Sequence, residues 1–235
     1  MSVSASTAEG ASSRLASHTR IHRTLLSHVE KRALIWMAIR LPPWVNSDHL
    51  TALGFASMAG VGASFWLARA APRAGLPLAA LCLALNWLGD SLDGTVARVR
   101  NRQRPRYGFY IDHVVDIAGT TLMLAGIAGS GYMDPRLAMA SLAAWLLVAG
   151  ESFLATNARS VFRLSLLWVG PTELRIGIAV AAVSLLAGGE VSLPGLGVCR
   201  LFDVIGVIAS AGLAVAFVAN VVRNAVALYR EETRW

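Results

Sequence analysis

Apolar residues dominate six stretches of the chain, each bounded by proline, glycine or charge. They run from about Leu50 to Ala71, Leu76 to Arg98, Tyr107 to Gly129, Pro135 to Asn157, Thr172 to Ala187 and Leu201 to Leu228. A helix needs about 20 predominantly apolar residues to cross a hydrocarbon core about 30 Å thick. The pattern predicts an all-α, polytopic membrane protein: a six-transmembrane-helix bundle over residues 46–235. Pro72 with Gly75 marks the first turn, and Gly188-Gly189 and Pro194-Gly195 break the chain before the sixth span. The fifth stretch is short and opens on Glu173 and Arg175.

Ahead of the bundle the pattern changes. Leu25, Leu26, Val29, Ala33, Trp36, Met37 and Arg40 interleave with Arg23, His28, Glu30, Lys31 and Arg32 at helical spacing. Residues 19–45 thus read as an N-terminal amphipathic interfacial helix, with its cations toward lipid headgroups. Pro42-Pro43 ends it, and Asn46-Ser47-Asp48 offers a cap for the next helix. Residues 1–18, rich in Ser and Ala, read as a disordered tail. An Arg- and Ser-rich start low in acids also fits an organellar transit peptide.

Composition agrees with a membrane protein, at 55% hydrophobic, 15% charged and mean hydropathy +0.56. The formal charge of +7 does not point to nucleic acid, because no aromatics interleave with the basic residues. Of the 21 Lys and Arg, 17 fall on the side holding both termini and the loop from Arg98 to Arg106, and 4 on the other. The positive-inside rule places the termini and that loop in the cytoplasm. Cys82 and Cys199 form neither a disulfide framework nor a metal spacing.

Four aspartates stand where two spans meet the basic loop. Asp90 and Asp93 are three residues apart, Asp112 and Asp116 four, so on helices each pair shares a face. Two helices joined by a tight loop run antiparallel, which can bring the four carboxylates together. Carboxylates at a membrane are costly and repel one another, and divalent cations resolve both problems. Two intramembrane ion pairs would be the structural alternative, but the nearby arginines cluster in the loop.

The run Asp90-x-x-Asp93-Gly94-x-x-Ala97-Arg98, then Gly108-x-x-x-Asp112-x-x-x-Asp116, resembles the signature of the CDP-alcohol phosphotransferase family at all eight fixed positions. The resemblance implies transfer of a phosphoalcohol from a CDP-linked lipid or alcohol to a hydroxyl acceptor, with release of CMP. It implies Asp90, Asp93, Asp112 and Asp116 as ligands of Mg²⁺ or Mn²⁺, two ions in all, and Asp116 as the catalytic general base. It assigns Asp93, Gly94, Ala97, Arg98 and Gly108 to CDP binding. It further implies a homodimer among membrane lipids, and a bacterial inner membrane is the expected location. Read alone, Gly94 fits helix packing as well as nucleotide approach. Arg100, Arg102, Arg104 and Arg106 read as anchors to anionic lipid, and His113 as a packing residue.

The acceptor site is the thinnest expectation. Arg159, Arg163, Glu173 and Arg175 lie on the cytoplasmic side, where a phosphorylated polyol would want arginines. Gly170-Pro171-Thr172-Glu173 is similar to a stretch in the choline and ethanolamine phosphotransferases, whose acceptor is diacylglycerol. The donor therefore stays open between CDP-diacylglycerol and a CDP-aminoalcohol. From another class, a cation-coupled transporter or channel could use the aspartates as an ion site, although such sites favour broken helices near the midplane.

Overall fold

The computed structural model describes residues 27–159, 171–195 and 197–233, with backbone alone at 27–29, 159, 171 and 173. Their regular elements are α1 (Ser27–Arg40), α2 (Ser47–Ala68), α3 (Pro72–Val99), α4 (Pro105–Ser130), α5 (Pro135–Arg159), α6 (Pro171–Ser184), β1 (Glu190–Leu193), β2 (Gly197–Arg200) and α7 (Leu201–Glu232). The tail expected over 1–18 lies outside the described residues, as do residues 19–26.

Local chemistry sets the helix starts. Asn46 Oδ1 accepts from the His49 backbone N–H at 3.0 Å while His49 Nδ1 faces the Asn46 N–H, so two orphan donors are satisfied. Pro72, Pro105, Pro135 and Pro171 each open a helix, where the missing N–H costs nothing. Pro72 is therefore the start of α3, four residues before the expected Leu76, and the turn is tighter than its sequence suggested.

Among the described residues α2, α3, α4, α5 and α7 are long and apolar enough to cross a membrane. The fifth expected span corresponds to α6, whose 14 residues rise only about 21 Å at 1.5 Å each. By length alone it falls short of the hydrocarbon core. After it comes an element the sequence did not reveal: β1 and β2 pair antiparallel, with Val191 opposite Cys199 and Leu193 opposite Gly197. Gly195 and Gly197, at φ +82° and +78°, supply the left-handed conformations that this turn needs.

The bundle is built around α2, which packs along both α3 and α4, while α3 and α4 meet only sparsely. Small residues allow the approach. A Cβ at Gly89 would stand 2.6 Å from the Leu50 carbonyl oxygen, and one at Gly126 would stand 2.2 Å from the Gly62 Cα. Lipid tails are as apolar as leucine, so close van der Waals contact, rather than transfer out of water, holds such helices together.

The main core lies toward the α2–α3 turn. Val61, Phe65, Leu76, Leu83, Met123, Ile127, Ala182 and Phe202 pack there, with Phe65 edge-on to Phe202 at 5.3 Å. A smaller cluster closes the opposite end, where Leu34 and Ala38 of α1 meet Leu50, Leu92 and Val96. The docking face of α1 is therefore Leu34–Ala38. Trp36 and Arg40, expected within the apolar stripe, lie exposed together, the guanidinium 4.0 Å over the indole. Elsewhere α5 and α7 are joined by polar contacts, Ser141 to Ser210 at 2.8 Å and Asn224 to Glu151 at 2.6 Å.

Candidate metal centre

The end of α3 and the start of α4 are joined by a short loop. Asn101 takes the left-handed conformation at φ 52°, which asparagine tolerates, and Pro105 then starts α4. α2 packs along both helices, which meet each other only sparsely. Asp90 comes from α3, and Asp112 and Asp116 from α4. One carboxylate oxygen from each lies within 4.8 Å of the others, with Asp90 and Asp112 half-buried and Asp116 exposed.

Asp93 is not in that group. Thr51 of α2 donates its hydroxyl to Asp93 Oδ2 at 2.7 Å, and the Gly94 N–H donates to Oδ1. Three of the four expected ligands thus converge, and the fourth is turned toward α2. Thr51 is a site residue that the sequence reading missed.

Around the carboxylates the family signature divides cleanly. Gly94 is not a packing glycine, since a Cβ there would meet only the Arg98 guanidinium, at 3.3 Å, and a Cβ at Gly108 would meet nothing within 4 Å. Arg98 is exposed and donates to Thr95 Oγ1 at 3.0 Å. Ala97 lines a cavity of about 360 Å³ with Asn46, Ser47, Arg100, Arg102 and Arg104.

Two loop arginines do something other than the lipid anchoring expected of them. Arg100 reaches back to the turn between α1 and α2, donating to the carbonyls of Leu41 at 2.9 Å, Pro42 at 3.1 Å and Val45. Arg104 pairs with Asp48 and lies 4.4 Å from the Tyr107 ring. The basic loop is thereby fastened to the protein. His113 packs between Phe109 and Phe153, with ring centroids 4.1 and 4.6 Å away.

Of the expected acceptor residues, Arg175 reaches the centre: its Nη2 lies 2.8 Å from Asp90 Oδ2. The side chains of Arg159 and Glu173, and all of Arg163, lie outside the described residues. A second link, with no signal in the spacing, runs one turn away. Glu30 Oε1 accepts from Trp87 Nε1 at 3.0 Å and from Thr172 Oγ1 at 3.4 Å, tying α1 to α3 and α6.

The family model for CDP-alcohol phosphatidyltransferase matches residues 46–218, from the cap of α2 into α7. No curated protein matches the chain. The matched span holds all eight signature residues and every carboxylate of the centre, and it covers well over half of the sequence. The chain belongs to the CDP-alcohol phosphatidyltransferase family, integral membrane transferases that act on substituted phosphate groups.

Proposed function

We propose that the chain transfers a phosphoalcohol from a CDP-linked donor to a hydroxyl acceptor, releasing CMP, at a divalent-ion site formed by Asp90, Asp93, Asp112 and Asp116. The observation that carries this reading is the convergence of Asp90, Asp112 and Asp116 within 4.8 Å beside the Gly94–Arg98 turn. An all-oxygen, anionic donor set fits hard cations such as Mg²⁺ or Mn²⁺. Such ions, when bound, neutralise the charge that grows on the leaving phosphate. Asp93 completes the ligand set for a pair of ions, with Thr51 orienting its carboxylate.

The remaining roles follow from exposure and neighbours. Asp116, the exposed member, takes the proton of the acceptor hydroxyl as that oxygen bonds to phosphorus and the bond to CMP breaks. Gly94 and Gly108, free of packing neighbours, let the nucleotide approach the backbone. Ala97 and its cavity give room beside it, and Arg98 pairs with phosphate. Arg175 binds the acceptor, a role shared with Arg159, Arg163 and Glu173. Both α3 and α4 run unbroken through the site, which argues against the broken-helix geometry of a cation-coupled transporter.

Purified protein given labelled CDP-diacylglycerol or a labelled CDP-aminoalcohol tests both the reaction and the donor. Release of CMP that chelation abolishes and Mg²⁺ restores is the expected result. Turnover that survives full chelation would overturn the metal reading.

The same reading includes a cytoplasmic site, six passes and an interfacial α1. Leu185 and Ala182 share the core with Leu76 while Arg175 meets Asp90, so α6 and the residues just after it run alongside α3 from Leu76 to Asp90, about half of that helix. Trp36, Ile39 and Trp44 are exposed beside the basic loop, as interfacial anchors are. A cysteine at Gln103 is expected to react with an impermeant thiol reagent only when the cytoplasmic face is opened. Labelling from outside intact cells would reverse the orientation. The homodimer implied by the family belongs to this reading as well, and an active species that is strictly monomeric in detergent would remove it.

A further inference from the structure

We infer that Arg175 is a resident counter-cation of the carboxylate cluster, and that its charge sets how tightly the cluster holds a divalent ion. The inference rests on the metal-site reading above and deepens it. Three carboxylates within 4.8 Å of one another repel strongly, more so where water is partly excluded. The Arg175 guanidinium, 2.8 Å from Asp90 and with only 18% of its side chain exposed, offsets that repulsion in the metal-free protein. It is not a loosely tethered charge. Thr172, one turn earlier on α6, contacts Glu30, and Glu30 also takes the indole N–H of Trp87, one turn before Asp90. The first turn of α6 is thus held against α3 at two levels.

A fixed cation at this position acts in opposite senses in the two states. Without an ion it stabilises the cluster. With one it opposes binding, because the divalent ion enters a site already partly neutralised. The metal-free protein is spared part of the repulsion within the acidic cluster, and the cost appears as a weaker hold on the ion.

The test is Mn²⁺ binding to the full chain in detergent without substrates, followed by electron paramagnetic resonance, with thermal unfolding measured with and without Mn²⁺. Arg175→Gln keeps a hydrogen-bond donor toward Asp90 and removes the charge. It is expected to bind Mn²⁺ about fivefold tighter or more, to unfold at a lower temperature when metal-free, and to gain more in Tm from Mn²⁺ than the wild type does. Arg175→Lys, which keeps the charge, is expected to stay within about twofold of wild-type affinity. If the wild type binds Mn²⁺ and Arg175→Gln binds it no tighter, the inference fails and the metal site stands. Equal tightening by Arg175→Lys also overturns it, since charge would not be the cause. A wild type that binds no Mn²⁺ removes both readings. Should Arg175→Gln lose its fold on chelation and keep it in Mn²⁺, the result is the expected one in its strongest form; loss of fold with Mn²⁺ present counts against it.

Discussion

Asp116→Asn is expected to lose about 10²- to 10⁴-fold in CMP release, the range typical of a lost general base, while still binding CDP in the presence of Mg²⁺. Asparagine keeps the size of the side chain and one oxygen toward the ion site, but it cannot take the acceptor proton. Asp116 is the exposed carboxylate of the centre, so the substitution leaves the buried packing of α4 untouched. Asp90→Asn should behave differently. Asp90 joins the α4 carboxylates from α3 and carries the contact with Arg175, so its loss is expected to weaken metal and nucleotide together. Nucleotide binding measured beside turnover separates the two variants. Substantial turnover by Asp116→Asn at neutral pH would end the base assignment and leave the ion site intact.

Gly126→Ala is expected to give the largest loss of stability of any single methyl in the bundle. The added Cβ would stand 2.2 Å from the Gly62 Cα and 2.3 Å from its carbonyl oxygen. Both are backbone atoms, so no rotamer change relieves the overlap and α2 and α4 must separate. Overpacking costs about 1–3 kcal/mol where side chains can adjust, and here they cannot. Gly129→Ala on the same helix meets nothing within 4 Å and is the control, expected to be neutral or mildly stabilising through helix propensity. Thermal unfolding in detergent should separate the pair by several degrees. Similar melting of the two variants would show that the α2–α4 crossing is looser than described. Because α2 also carries Thr51, Gly126→Ala should lower turnover as well.

Much of this arrangement was legible in the chain. Apolar runs of about 20 residues bounded by proline and glycine mark the long helices, since a bilayer demands both length and composition. The aspartates stood out because charge at such helix ends is costly without a partner. What escaped depends on partners far away in sequence. Thr51 and Asp93 are 42 residues apart and Glu30 and Trp87 are 57, and no local spacing reports such pairs. Asp93 was placed with its neighbours because three residues nearly complete a turn. At about 100° per residue, however, it lies some 60° round the helix from Asp90, and that offset turns it to α2. The docking face of α1 was missed because Leu34 and Ala38 are no more apolar than the exposed Ile35, Trp36 and Ile39. The hairpin was read only as a break, since the polar–apolar alternation of Glu190–Leu193 lasts just four residues and Gly197–Arg200 shows none.

The contacts of Arg100 impose an order on assembly. The carbonyls it holds, at Leu41, Pro42 and Val45, leave the ribosome 55 to 59 residues before the arginine does. Leu34 and Ala38 likewise wait for Leu92 and Val96 of α3. Until α3 is complete, the turn after α1 lacks the guanidinium that gathers its carbonyls, and α1 lacks the α3 side chains that cover Leu34 and Ala38. The first described helix is thus among the last to settle, and its docking closes the end of the bundle that carries Leu92 and Val96.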